Sequence, residues 1–195
     1  MRLDEARRDL YRRLAKEQGY KSRAAFKLIE ANEKYGFIRE GDAVADFGAA
    51  PGGWLQVCSR LVGPSGRVVG VDLHEIRLRD KNVKTFVMDV HDPRVAGRIE
   101  GELGRKADVV LSDLSPTVSG VWELDQTRQV ELTLRVLQLS ETVLKPRGCA
   151  FFKLFEGERS QEVRDEFRKR FATVRTVKPA ASRSVSSELY YYCEG

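Results

Sequence analysis

The sequence of 195 residues predicts a doubly wound α/β domain, in which helices cover both faces of a mostly parallel sheet. Three observations support this prediction. Short apolar runs alternate with helical patterns, most of these runs are apolar throughout, and a glycine-rich turn follows the first of them. Strands that are buried on both faces have this nearly continuous apolar character, whereas half-exposed strands alternate.

The chain begins with two predicted helices, over residues 4–16 and 22–34, and the second is expected to start at Ser22, a good N-cap residue. Later helical patterns cover 54–61, 93–103, 123–144 and 158–170. The strand-like runs are 43–48, 67–72, 84–89, 107–113, 149–155, 172–177 and 188–193. Only a polar, serine-rich stretch separates the last two runs, so the seventh strand is expected to pair antiparallel with a neighbour.

The composition is that of an ordinary soluble domain, with 42% hydrophobic and 32% charged residues. No apolar run is long enough to cross a bilayer, and charges alternate along the N-terminus where a signal peptide would be apolar. We therefore expect one cytoplasmic, monomeric domain over 1–195, away from membranes. The three cysteines are far apart in apolar segments, which predicts small buried side chains and neither disulfides nor a zinc site.

The net charge of +5 is unevenly distributed. Residues 1–27 contribute +5 and residues 168–187 contribute +6, so the rest of the chain carries −6. A basic surface against an acidic body is typical of a protein that binds a polyphosphate such as RNA, although solvated basic helices give the same composition. Segment 1–34 is predicted to be a basic helical extension that contributes to RNA binding, and the candidate cations are Arg7, Arg8, Arg12, Arg13, Lys21, Arg23 and Arg183.

The stretch "DFGAAPGGW" at 46–54 joins the first predicted strand to the next helix. In a doubly wound sheet, ligands bind beyond the carboxyl ends of the strands, where the strand order reverses. Gly48 allows a tight turn there, while Gly52 and Gly53 remove side chains where a ligand would approach the helix. Asp46 lies next to any positive charge held over these glycines.

Two further aspartates end the next strands. Asp72 is placed to accept hydrogen bonds from both hydroxyls of a ribose, and Asp89 is placed to contact an adenine edge. Either could instead cap a helix, but together with the glycine turn they favour a cofactor that contains adenosine. Pro51 has no N–H inside the turn and the spacing departs from GxGxxG, which disfavours a pyrophosphate and favours S-adenosyl-L-methionine.

Seven segments carry a family resemblance: "SRAAFKLIE", "DFGAAPGGW", "GVDLHE", "MDVHD", "LSDLSP", "GCAFFKLFEGE" and "SRSVSSELYYYC". In this order, from about Tyr20 to the C-terminus, they resemble the FtsJ-type ribose 2′-O-methyltransferases. The resemblance implies a Rossmann-like methyltransferase fold, S-adenosyl-L-methionine as donor and an RNA ribose as acceptor. It implies a catalytic tetrad of Lys27, Asp113, Lys153 and Glu188, and donor contacts from Gly52, Trp54, Asp72, Asp89 and Asp113.

The chemistry of the residues agrees with this resemblance. A ribose hydroxyl is a poor nucleophile, so its proton must be removed as the oxygen attacks. Lys153 lies within an apolar strand, where a charged side chain is costly unless it has partners or a task. We expect Lys153 to be the general base and Asp113 to orient it, with Lys27 and Glu188 as positioning residues. The alternative is a structural lysine that reaches solvent from an edge strand.

The sequence disfavours three other functions. A nicotinamide-dependent oxidoreductase is disfavoured because no Tyr-x-x-x-Lys pair is present, and a noncatalytic RNA-binding module gives no reason for Lys153 and Asp113. A base methyltransferase is disfavoured because "SDLSPTVSG" offers neither an aromatic residue nor a proline pair after the fourth strand. The resemblance implies a uridine in the A loop of large-subunit ribosomal RNA as the first target, with the anticodon loop of tRNA as the alternative.

Overall fold

The structure, a computed structural model, describes residues 3–182 and 187–195. The helices are α1 Leu3–Glu17, α2 Ala25–Tyr35, α3 Gly53–Val62, α4 Val95–Leu103, α5 Trp122–Val143 and α6 Ser160–Arg170. The strands are β1 Ala43–Phe47, β2 Arg67–Asp72, β3 Val83–Val87, β4 Ala107–Ser112, β5 Leu144–Phe155, β6 Thr173–Val177 and β7 Glu188–Glu194. Each of these elements overlaps a run that the sequence pattern predicts.

The seven strands form one sheet in the order β3-β2-β1-β4-β5-β7-β6. Neighbouring strands from β3 to β5 are parallel, while β7 lies antiparallel between β5 and β6. The predicted antiparallel last strand is therefore confirmed. The strand order reverses between β1 and β4, and the carboxyl ends of these two strands mark the place where α/β sheets bind ligands.

Two hydrophobic cores lie on opposite faces of the sheet. One contains the apolar sides of α4, α5 and α6, and the other contains those of α2 and α3. Side chains of β5 alternate between them, since Phe151 packs in the second core and Phe152 in the first. Because both faces are covered, every residue of β1 and β4 is buried.

The start of α2 differs from the sequence prediction. The helix begins at Ala25 with Ala24 as its N-cap, and no side chain of the described residues caps it. Ser22 lies in the preceding turn, where its carbonyl accepts a hydrogen bond from the Ala25 amide at 3.3 Å. Ser22 packs instead against Gly53 of α3, and the contact is so close that a Cβ on that glycine would lie 2.4 Å from the serine Oγ. Tertiary packing has displaced the local capping preference.

Helix α1 packs on α2 through aromatic contacts. The Tyr11 ring lies 5.4 Å from that of Phe26, and the Tyr11 hydroxyl donates to the Glu30 carboxylate at 3.0 Å. Ala15 and Phe26 share a small cluster with Ala181, which precedes β7. The N-terminal helix is thus docked beside the end of the chain. Over the described ranges, no helix combines the length and the apolar character that a membrane span needs.

Candidate active site

The glycine-rich turn after β1 is held close to neighbouring elements. Gly48 has a φ of +79°, and a Cβ there would lie 2.8 Å from the Leu114 amide nitrogen. Gly52 is the N-cap of α3 with a φ of +111°, and a Cβ there would press on Ile76 and Leu78 at 3.1 Å. Larger residues would strain this backbone and displace its neighbours. Glycine is required at both positions because the turn passes through a narrow gap between neighbouring elements.

Asp46, near the end of β1, is buried, and among the described residues neither of its carboxylate oxygens has a hydrogen-bond partner. Burial raises the pKa of this carboxyl well above its usual range, and the nearby charges of Asp113 and Asp72 raise it further. A buried carboxyl group is unfavourable when it has no hydrogen-bond or ionic partner, and a bound ligand is able to supply that partner. Asp46 therefore marks a place where a positively charged or hydrogen-bonding ligand would be stabilised.

Asp72, at the end of β2, supports the glycine turn. Its Oδ2 accepts a hydrogen bond from the Ala50 amide at 3.0 Å, and its Oδ1 accepts one from the His74 amide at 2.9 Å. Asp89, two residues after β3, is exposed and accepts from the His91 amide at 2.8 Å. Carboxylate oxygens have further lone pairs, so both residues are able to accept hydrogen bonds from a ligand as well.

The four residues of the predicted tetrad come together at the carboxyl edge of the sheet. Lys27 Nζ lies 2.5 Å from Glu188 Oε1, and Lys153 Nζ lies 3.1 Å from Asp113 Oδ1. Tyr190 joins the two pairs, since its hydroxyl accepts from Lys27 at 3.0 Å and donates to Asp113 at 2.9 Å. Burial raises the pKa of the tyrosine well above its usual range, with Asp113 and Glu188 adding to the effect, so the phenol stays protonated.

The Lys153 amine has two additional acceptors on the segment after β4. It donates to the Asp113 carbonyl at 2.7 Å and to the Ser115 hydroxyl at 2.5 Å. Together with the Asp113 carboxylate, these are three oxygens around a side chain that is only 5% exposed. An ammonium has three N–H donors and is fully satisfied here, while a neutral amine could receive a hydrogen bond from the serine hydroxyl instead.

The strand register explains how residues far apart in the chain meet. In the β5–β7 ladder, Lys153 lies opposite Tyr190 and Phe155 lies opposite Glu188. Opposed residues project to the same face of a sheet, and residues two apart on one strand share that face. Tyr190 was not predicted from the sequence, although its position two residues after Glu188 on the same strand is a signal that indicates a shared face. Ser115 was also given no role.

A cavity of about 230 Å³ lies between the glycine turn and the tetrad. Its lining joins residues predicted to bind the donor with residues predicted to be catalytic: Ser22, Arg23, Ala24, Lys27, Gly48, Ala49, Ala50, Pro51, Gly53, Trp54 and Asp113. A larger cavity of about 520 Å³ is lined by residues such as Leu137, Arg147 and Phe171 and by none of the predicted site residues. The smaller cavity is the candidate active site, because the tetrad and the glycine turn converge there.

Trp54 fixes one wall of this cavity. The side chain is 3% exposed, and its Nε1 donates to the Ala24 carbonyl at 2.8 Å. The ring packs against Phe151 and Tyr190, with centroids 5.8 and 5.9 Å away. Trp54 thereby connects the glycine turn to the start of α2 and to the tyrosine of the tetrad network.

The two basic segments of the sequence have different surroundings in the structure. At the end of α6, Arg168, Lys169 and Arg170 form ion pairs with carboxylates of α5 and α6. In the N-terminal segment, Arg12, Arg13 and Lys21 are exposed, Arg13 lies 3.7 Å from Glu17, and Arg23 lines the cavity. The side chains of Arg7 and Arg8, and all of Arg183, lie outside the described part of the chain. Of the predicted RNA-binding cations in the described part of the chain, Arg23 is the one that lines this cavity.

Comparisons with known proteins identify the family. The FtsJ-like methyltransferase family model matches residues 20–195. The chain is 44% identical over 195 residues to the ribosomal RNA large subunit methyltransferase E of Nitrosopumilus maritimus, covering 100% of this chain and 98% of that protein. It is also 44% identical over 187 residues to the protein of that name from Methanothermobacter thermautotrophicus, covering 95% and 89%.

Solved structures agree with this assignment. A putative ribosomal RNA methyltransferase from Plasmodium falciparum superposes with a TM-score of 0.80 at 27% identity, covering 90% of this chain and 98% of that one. Fibrillarin from Aeropyrum pernix, solved with S-adenosyl-L-methionine bound, shares the fold with a TM-score of 0.59 at 16% identity, covering 87% and 75%. The chain therefore belongs to the FtsJ-like methyltransferases, and S-adenosyl-L-methionine is its methyl donor.

Proposed function

We propose that this enzyme methylates the 2′-hydroxyl of a ribose in large-subunit ribosomal RNA, with a uridine of the A loop as its target. The observation that carries the proposal is the buried network in which Tyr190 connects Lys27 and Glu188 to Asp113 and Lys153. Its amine and carboxylates suit removal of a hydroxyl proton. The names of relatives that are 44% identical over nearly the whole chain support ribosomal RNA as the substrate.

The donor site that we propose is the glycine turn with its neighbouring acids. Asp46 supplies a buried carboxyl group whose missing partner would be a positively charged ligand. Asp72 accepts hydrogen bonds from the ribose hydroxyls of the adenosine. Gly48, Gly52 and Gly53 keep the path clear because they carry no side chains. Trp54 forms a wall, while Asp89 accepts from the adenine edge. When bound, S-adenosyl-L-methionine supplies an electrophilic methyl group on a sulfonium.

The acceptor side is built from the tetrad network. With Lys153 in its neutral amine form, the O–H bond of the ribose hydroxyl breaks as its proton passes to the lone pair of Nζ, which the Asp113 carboxylate and carbonyl hold in place. The Ser115 hydroxyl accepts from the lysine ammonium in the structure and is able to rotate and donate to the neutral amine. Lys27 and Glu188 fix the Tyr190 hydroxyl, and the tyrosine in turn orients Asp113.

The test is methyl transfer from labelled donor to RNA that lacks the modification. Large-subunit RNA, assembled large subunits and total tRNA are offered separately, and the product is mapped by the resistance of 2′-O-methylated linkages to alkali. We expect one resistant linkage, at an A-loop uridine. A mark on the tRNA anticodon loop alone would replace the proposed substrate, and methyl groups that leave all linkages alkali-sensitive would show base methylation instead. Asp113→Asn is the inactive control.

A further inference from the structure

A patch of exposed apolar side chains follows β4 and continues into the first turn of α5. Val118 is 72% exposed, Val121 55%, Trp122 45% and Leu124 41%. Single exposed apolar residues are ordinary, but four within seven positions are an unusual concentration of apolar surface in water. We name these four residues the α5 patch.

The α5 patch adjoins the tetrad through an aromatic pair. The Trp122 ring stacks on Phe155 with centroids 6.0 Å apart and an angle of 26° between the planes. Phe155 follows Lys153 by two residues on β5 and lies directly opposite Glu188 on β7, so its side chain shares their face of the sheet. The segment that leads to the patch also carries Ser115, which contacts Lys153. The exposed indole is thus packed on a residue that shares a face of the sheet with Lys153 and Glu188.

The charges around the patch indicate which part of an RNA would occupy it. Glu123 and Glu158 are exposed near Trp122 and Phe155 in the chain, and carboxylates repel the phosphates of an RNA backbone, whereas the exposed Glu156 lies 3.6 Å from Arg164. The exposed cations of the N-terminal segment, Arg12 and Lys21 among them, suit the backbone instead. An uncharged, planar group fits an aromatic surface with an acidic border.

We propose that Trp122, supported by Phe155, is a stacking platform for an unpaired nucleobase of the RNA substrate, either that of the target nucleotide or that of its immediate neighbour. This inference rests on the proposed function. Loop nucleotides of RNA present unstacked bases, and proteins bind such bases by stacking them on aromatic side chains. Each stacked base contributes enough free energy to change affinity by roughly 5- to 150-fold on loss of the aromatic ring.

The first measurement is tryptophan fluorescence. The chain has two tryptophans, of which Trp54 is buried at 3% exposure and Trp122 is exposed. Titration with an A-loop hairpin transcript is expected to quench the wild-type emission and to leave that of Trp122→Phe nearly unchanged, since only Trp54 then emits. Quenching of equal size in both proteins would overturn the proposal.

The second measurement is a cycle of protein and RNA changes. Trp122→Ala should weaken transcript binding by roughly 5- to 150-fold, Trp122→Phe should weaken it less, and Val118→Ala, which removes apolar surface from the same patch, should have little effect. Thermal unfolding and donor affinity establish that the variants are folded. In transcripts that carry one abasic site, the penalty of Trp122→Ala should disappear when the missing base is the stacked one.

The outcomes separate this inference from the function on which it rests. If the wild type methylates RNA and Trp122→Ala binds every transcript as the wild type does, the platform is wrong and the proposed function stands. An equal penalty with every abasic transcript would also overturn the platform, and would assign the patch to another kind of contact. If the wild type methylates no RNA, both proposals fail.

Discussion

Replacing Lys153 tests the proposed general base, because this side chain is both buried and fully hydrogen-bonded. Lys153→Met keeps most of the volume and removes the amine. Lys153→Arg keeps the positive charge, but a guanidinium does not release a proton near neutral pH. If the amine removes the ribose proton, both variants should lose most of the methyl transfer, while donor affinity changes little.

The size of the effect follows from the contacts. Loss of a general base costs about 10²–10⁴ in rate, which is about 3–5 kcal/mol of transition-state stabilisation. The cost in folding should be smaller, since Asp113 is 20% exposed and keeps the Tyr190 hydroxyl as a donor. Only the Asp113 carbonyl loses its buried donor, because Ser115 is exposed and water can replace the amine there. We expect Lys153→Met to lose about 1–3 kcal/mol of stability.

The assay is single-turnover transfer with saturating donor and RNA, accompanied by thermal unfolding and calorimetric donor binding. Because arginine is larger than lysine and the site is closed, a third variant is needed to separate chemistry from crowding. Lys153→Ala opens space for a small primary amine, and added amines should restore transfer in proportion to their basicity. Transfer by Lys153→Arg within threefold of the wild type would refute the base assignment, and Lys153 would then be a positioning group.

Three further predictions concern the donor site and the RNA surface. Asp72→Ala should weaken donor binding in calorimetry by about 1.5–3 kcal/mol, the value of a charged hydrogen bond, and unchanged affinity would move the ribose site elsewhere. Burial raises the pKa of folded Asp46 above its unfolded value of about 4, so the wild type should lose stability as the pH rises from about 4. Asp46→Asn cannot ionise, and its melting temperature relative to the wild type should therefore increase over pH 4–8; a constant difference would contradict the assignment. Replacing Arg12 and Arg13 by alanine should weaken RNA binding and reduce its salt dependence. The matched control replaces Arg168 and Lys169 at the end of α6 and should change neither the affinity for RNA nor its salt dependence.

The sequence by itself predicted the order of elements and the antiparallel last strand, whereas the four members of the tetrad came from the family resemblance. The glycine turn and the aspartates at the strand ends were predicted to share one site because parallel strands bring their carboxyl ends to one edge of the sheet. A lysine inside an apolar strand and glycines in a turn are also local signals, since each is unfavourable or unusual without a specific reason.

Only the tertiary structure decided which of these residues touch. Lys27 and Glu188 are 161 positions apart, and Tyr190 joins them to Asp113 because β7 is inserted between β5 and β6 in one particular register. The same register places Phe155 beside the tetrad. Strand order and register depend on how whole faces pack, and a local pattern of residues does not contain that information. For this reason the hydrogen bond to Ser115, the packing of Ser22 on α3 and the separation of the two basic segments were visible only after folding.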